Sequence, residues 1–293
     1  MKIKRAMLML AVSTLAVLVA VPMFAQAPQP PMPPAQLDQL VARIALYPDP
    51  LLGQILAAAT YPDQIPDAAK WSDEHHYLTG QALADAIQGD QVPWDPSVQA
   101  LLPFPSVLEM MASDPNWTNS LGNAFLAQQQ DVMDAVQRER KEASDYGYLR
   151  SNGQIVVGGG PYITIMPVNP GFIVVPHYDP AVVFFAPHVG FAVGGAIRFG
   201  FGINIGGFFR PWGWGYNRFD WGGHALFINN ARWGRNWGNR GGYAHPYPDV
   251  HRFAGGGRPA EAHELHGRSD AERSAARQGR PMREEHRGGG HRR

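Results

Sequence analysis

The densest run of groups able to move a proton or hold a metal is Asp73-Glu74-His75-His76. Carboxylates and imidazoles side by side could act as general acid and base or as metal ligands. Adjacent helical residues diverge by about 100°, however, so two neighbouring histidines do not share one metal on regular helix. No HExxH pattern occurs either, and the run reads as a solvated helix end. His263 and His266, three apart in AEAHELHGR, could hold zinc or nickel weakly with Glu264 or His286, against the plainer reading of an exposed polar tail. Asp95 and Asp114 lie beside Trp94 and Trp117, a layout found in sugar clefts. A hydrolytic carboxylate pair needs a defined separation in space, and both aspartates already have sufficient work as helix caps. No GxSxG elbow, Walker loop or GxGxxG between strand and helix appears. The absence of cysteine excludes a thiol nucleophile, a cysteine-held metal and a disulfide framework. No residue is assigned to catalysis, to a cofactor or to a metal, and the sequence favours a protein without catalysis.

Proline and aspartate mark the elements that must position any site. Asp-Pro occurs at 49–50, 95–96, 114–115 and 179–180. Aspartate caps free amides of a first helical turn, and proline suits that turn because its missing N–H loses nothing there. The pairs Asp49-Pro50, Asp95-Pro96 and Asp114-Pro115 precede PLLGQILAAAT, PSVQALL and a run from Pro115 to about residue 143, so all six residues are read as helix-start caps. Tyr-Pro-Asp at 47–49 and 61–63 fits the same punctuation, with each tyrosine packed over a joint. In the longest run Trp117, Leu121, Phe125, Val132 and Val136 keep near one face, predicting a single helix that Gly147 ends. Asp134 with Arg138, Arg138 with Glu142, and Lys141 with Asp145 are spaced for exposed ion pairs. Pro96-Ser97-Val98 recurs as Pro105-Ser106-Val107, which predicts two adjacent short helices; two copies are too few for a solenoid.

After Arg150 the period changes from 3.6 to 2. QIVVG, PYITIMPV, FIVVPHY and AVVFFA read as short strands of an antiparallel sheet or pair of hairpins, with Pro167, Pro176 and Pro187 confining them to edges. From Gly190 to Gly206 bulky apolar residues alternate with glycine and alanine, giving a strand one full face and one bare face. The competing reading is a membrane helix through residues 181–209, against which Arg198 stands at a cost of about 2.5–3.5 kcal/mol. Trp212, Trp214, Trp221, Trp233 and Trp237 are each followed by glycine. Together with Arg198 they form the candidate interaction set, suited to a lipid interface or a sugar ring; drift in a low-complexity tail is the plainer reading. Residues 240–293 hold too few large apolar groups to offset ordering entropy, which predicts disorder.

The first residues carry Lys2, Lys4 and Arg5, then an apolar run from Ala6 to Ala20, then Ala25-Gln26-Ala27, the pattern of a secretory signal cut after Ala25 or Ala27. Charge is polarised although the chain is formally neutral. Residues 28–149 hold 16 acids against 5 bases, and residues 150–239 hold 6 arginines against 2 aspartates. That asymmetry suggests self-association between the halves or a basic tail for an anionic surface. The expected organisation is a signal peptide at 1–25, a Pro-rich linker at 26–36 and an acidic helical domain at 37–149. A β region at 150–187, a Gly/Trp-rich segment at 188–239 and the Arg/His/Gly-rich tail at 240–293 follow.

The stretches LVARIALYPDPLLGQILAAATYP, WDPSVQALLPFPSVLEMMASDPNWTNSLGNAFLAQQQDVMDAVQRER and PGFIVVPHYDPAVVF resemble the bacterial family called domain of unknown function 3300. The likeness spans about residues 37 to 187. It implies an exported or envelope-associated protein with a helical front, a strand-like segment and a variable Gly- and aromatic-rich tail, and no activity comes with it. The fold class expected is α+β: a bundle of short helices, a small antiparallel β region and a largely disordered tail. The function expected is that of a non-catalytic, secreted or periplasmic envelope protein whose tail adheres to anionic lipid, glycan or protein. A cell-wall or glycan hydrolase using helical-domain carboxylates is the alternative, as is a membrane protein; nucleic acid is not an expected partner and no cofactor is.

Overall fold

A computed structural model describes residues 31–187, 193–214 and 216–234. The expectations for the signal peptide, for Trp237 and for residues 240–293, with His263 and His266, fall outside them. Where the sequence between residues 50 and 59 carries no charge at all, the chain forms a helix buried on every side, as an all-round apolar helix must be. This is α2 (Asp49–Ala59), every residue of which is buried. Around it stand α1 (Pro34–Val41), α3 (Ile65–Glu74), α4 (Gly80–Gly89), α5 (Pro96–Gln99), α6 (Pro105–Ser113), α7 (Pro115–Ala127) and α8 (Gln129–Asp145). Helix α2 packs against α7 and α5, and α1 lies along α8. Proline sits in the first turn of α1, α2, α3, α5, α6 and α7. Asp95 accepts from the Ser97 amide at 2.9 Å and Asp114 from the Trp117 amide at 3.0 Å, so both cap their helices.

Asp49 differs. The residue preceding α2 is Pro48, and the Asp49 side chain makes no cap bond. It is buried and turned to an ion pair described below. The long helix expected over 115–143 is two helices, parted at Gln128, whose backbone leaves the helical region at φ −145°, ψ 54°. The Gln128 side chain accepts from the Met32 amide at 2.8 Å and donates to the Met32 carbonyl at 3.1 Å. This break lets α7 face α2 while α8 faces α1, a tertiary demand that periodicity does not record. Of the three expected ion pairs, Lys141–Asp145 forms at 2.6 Å. Arg138 reaches instead to Asp38 of α1 at 2.6 Å, and Asp134 meets His224 at 2.8 Å.

The β region is α+β in character, as the period of 2 implied, but its partners differ from simple hairpins. β1 (Ile155–Gly158) and β2 (Thr164–Pro167) pair antiparallel, with Ile155 and Ile165 buried and Val156 opposite Met166 on the outer face. β3 (Phe172–Ile173) pairs with β6 (Ile203–Asn204), and β4 (Pro176–His177) with β5 (Arg198–Phe199). AVVFFA is not a strand: Asp179 accepts from the Ala181 amide at 2.9 Å and starts a short helix, α9 (Pro180–Val183). A 3-10 turn at Gly207–Trp212 leads to a three-stranded sheet of β7 (Arg218–Asp220), β8 (Ala225–Ile228) and β9 (Ala231–Arg232).

The Gly/Trp-rich segment is therefore corrected over residues 193–234: it folds into the same core as the helices. Trp212, Trp214, Trp221 and Trp233 are buried at 2%, 0%, 5% and 3% exposure. Each ring carries a large apolar area, so a glycine-rich stretch with four of them has more to bury than its composition suggests. The alternating stretch is broken into two-residue strands and presents no single bulky face, with Ile205 buried and Phe201 99% exposed. The membrane reading of 181–209 also yields: residues 193–209 are strands, turns and a 3-10 turn, and among the described residues no helix is long and apolar enough to cross a membrane.

Candidate functional site

Two places concentrate side chains with chemical capacity, and they differ in access. The first is internal. Arg140 of α8 is 0% exposed and donates to the carbonyls of Ala45, Ile163 and Tyr47 at 2.8, 2.9 and 3.0 Å. It meets Asp49 Oδ1 at 2.6 Å and lies over the Trp221 ring at 5.0 Å. Asp49 in turn accepts from the Ile165 amide at 3.3 Å and from the Trp221 indole at 3.2 Å. One ion pair thus fastens α2, α8, the β1–β2 hairpin and the sheet that carries Trp221. Every neighbour is satisfied and solvent is excluded, which is the condition for a structural pair rather than a reactive one.

The rest of the Gly/Trp segment is held in the same manner. The Trp212 indole donates to Gln99 at 2.7 Å, and the Trp212 carbonyl accepts from Gln54 at 3.0 Å. The Trp214 indole donates to the Ala100 carbonyl at 2.9 Å, Asn217 donates to the Pro50 carbonyl at 2.6 Å, and Trp233 stacks on Phe125 at 5.0 Å. Of the candidate interaction residues, then, four tryptophans are core. Arg198 is exposed on β5 and paired through its backbone to His177.

Near the internal pair, desolvation pushes the Glu139 carboxyl up to about 7, with the charges of Glu142 and Asp38 adding to the rise and Arg138 opposing it. Burial lifts the Tyr47 hydroxyl to about 12 and holds Tyr178 well above the ordinary phenol range. Both phenols therefore stay neutral donors, and the Tyr178 hydroxyl donates to the Ala42 carbonyl at 2.8 Å. Asp95 and Asp114, the pair considered for hydrolysis, are engaged as caps, and Asp114 also meets Arg43 at 3.0 Å. Among the described residues no group of three His, Cys, Asp or Glu could hold a metal ion.

The second place is open. The Asp73-Glu74-His75-His76 run lies where α3 ends, and the chain there turns outward through Tyr77 before Gly80 (φ +56°) opens α4. His75 stacks on Trp71 at 4.0 Å, its Nδ1 lies 2.8 Å from the Trp71 carbonyl, and its Nε2 is 3.8 Å from Asp90. The Trp71 indole donates to the same Asp90 oxygen at 2.8 Å. Beside this rim is a cleft of about 410 Å³ lined by His75, His76 and Leu78, by Leu83 of α4, by Leu102 and Pro103, and by Ile203 of β6 with Phe201 just before it. Phe201 in its lining is exposed, and the exposed Tyr77 ring stands next to it against His75 and His76, at 6.3 and 6.1 Å. A volume at the lower end of the ~300–1,000 Å³ typical of ligand sites, mostly apolar walls and a few convergent polar groups are what binding sites share. The histidines were legible as a helix end; the cleft was not, because Phe201 comes from more than a hundred residues away.

Three comparisons bear on this geometry. A family model described as protein of unknown function (DUF3300) matches residues 33–233, which takes the likeness beyond residue 187 and through the Gly/Trp segment. The chain is similar to the uncharacterized protein YacH of Escherichia coli (strain K12), 39% identical over 183 residues that make up 51% of this chain and 29% of YacH. It thus spans less than a third of the length of that relative. No solved structure matches the chain.

Proposed function

The chain belongs to the DUF3300 family, and from that premise we propose that it is an exported envelope protein that works by docking a partner in the α3–β6 cleft rather than by breaking bonds. The cleft carries this reading. An apolar hollow continuous with the exposed Phe201 ring, and with Tyr77 close by, is a contiguous apolar surface of the kind that interaction sites present. Asp95 and Asp114, the pair considered for hydrolysis, are occupied as caps, Asp114 also in an ion pair with Arg43. Export is supported by the basic, apolar and small-residue order of residues 1–27. The part given to the tryptophans in adhesion passes to the cleft edge, because core rings touch no partner.

Fractionation tests this. Tagged chain should appear in the envelope or periplasmic fraction, and the variant Tyr77→Ala/Phe201→Ala should leave the envelope-bound pool while keeping its fold, both rings being exposed. A chain found wholly in the cytoplasm, or a variant distributed like the wild type, contradicts the proposal.

A further inference from the structure

We infer that a second cleft, between the turn preceding α2 and the start of α6, binds a small carboxylate that carries an apolar group. It shares no lining residue with the α3–β6 cleft, so the docking reading is independent of it. Its volume is about 300 Å³, at the lower end of the range for small-molecule sites. Arg43 supplies its permanent charge. The guanidinium rests over the Trp117 ring at 5.3 Å, and its Nη1 meets Asp114 at 3.0 Å. Held on two sides, it keeps Nη2 and Nε without a partner among the described residues. Arginine grips a carboxylate through two such parallel donors.

Tyr47 supplies a second donor. It is 6% exposed and lines the cleft, and among the described residues its hydroxyl meets only the Met110 sulfur, 3.8 Å away. A thioether is a weak acceptor, and burial keeps this phenol protonated well above neutral pH. A donor so poorly matched gains from a charged oxygen brought to it. Its neighbour Tyr178 shows the contrast, since that hydroxyl both donates to the Ala42 carbonyl at 2.8 Å and accepts from the Leu46 amide at 3.3 Å. Ser106, exposed in the first turn of α6, adds a hydroxyl at a helix start to which Phe104 gives no side-chain cap. The remaining wall is apolar, from Met110, Val175 and the Tyr178 ring. One lasting positive charge, partly met by Asp114, suits a singly charged carboxylate and not a dianion.

Titration of the full-length chain with benzoate, followed by proton–nitrogen correlation spectra, provides the test. Benzoate should move the Ser106 amide and Trp117 indole resonances with a dissociation constant of about 1 mM or below. Benzamide, of the same shape without the charge, should leave them in place. Tyr47→Phe and Arg43→Gln should each weaken benzoate binding at least about tenfold, the loss expected for a hydrogen bond to a charged group. Tyr47→Phe gives up only a thioether contact, so its spectrum elsewhere should match wild type. Asp114→Asn keeps a capping side chain on α7 and releases Arg43, and should tighten binding about threefold. A merely structural role for these residues predicts no such gain. A short peptide ending in a phenylalanine carboxylate, compared with its amidated form, separates a chain end from a free acid as the source of the ligand. No shift with benzoate at about 50 mM, equal binding of benzamide or of inorganic phosphate, or benzoate binding unchanged in Tyr47→Phe and Arg43→Gln overturns the inference.

Discussion

Replacing Arg140 by leucine should lower the unfolding free energy by about 3–5 kcal/mol, the range for breaking a buried ion pair by removing one partner. The size follows from what is left behind. Asp49, 5% exposed, would keep a charge with only the Ile165 amide and the Trp221 indole to support it. Three carbonyls, of Ala45, Tyr47 and Ile163, would lose their donor, and each buried unsatisfied group adds its own desolvation cost. Replacing Asp49 as well should cost much less than the sum of the two single changes, because the second removes the charge the first orphaned. Denaturant titration of the two singles and the double closes the cycle. A loss below about 1 kcal/mol for Arg140→Leu would place the pair among surface bridges, whose ordinary worth that is.

Gly122→Ala should be comparably damaging, and its sign is informative. In an exposed helix this change stabilises by up to about 1 kcal/mol. Here α7 crosses α2 so closely that a Cβ on Gly122 would lie 2.0 Å from the Ala59 carbonyl oxygen and 2.6 Å from its carbon. Both are backbone atoms of a helix enclosed on all sides, so no side chain can swing away. The helices must part where the C-terminal end of α2 meets α7. The cost expected is about 3 kcal/mol, at or above the upper end for overpacked cores, read as a lowered midpoint with an unchanged denaturant slope. An unchanged or raised midpoint would mean that the α2–α7 crossing is wider than described.

Much of the helical half could be read from residues, and the reason is local. Asp95 and Asp114 act through atoms two or three positions away, so their role is written in adjacent letters. Asp49 has the same dipeptide and a different role because Arg140, ninety-one positions on, comes to it. Nothing near Asp49 announces that. The same holds for Gln128, whose partner is Met32. In the Gly/Trp segment, glycine content suggested a chain too poor to fold. The better signal was the tryptophan itself, since a ring every few residues supplies the surface whose burial drives folding. Glycine then serves as the turn, as at Gly213 (φ +89°) between Trp212 and Trp214. The cleft was half legible. The residue types make His75 and His76 stand out, whereas the alternating pattern puts Phe201 on a continuous apolar face that two-residue strands cannot make.

The claim on which these statements rest is that helices and Gly/Trp segment form one cooperative core. Native-state hydrogen exchange of the Trp212 and Trp214 indole N–H groups in the intact chain tests it most directly. Both donate inside the core, to Gln99 and to the Ala100 carbonyl. Exchange should occur only with global unfolding, at a free energy within about 1 kcal/mol of that for the amides of α2. Indole protons lost at the rate of free tryptophan while α2 remains protected would show two separate structures where the account requires one.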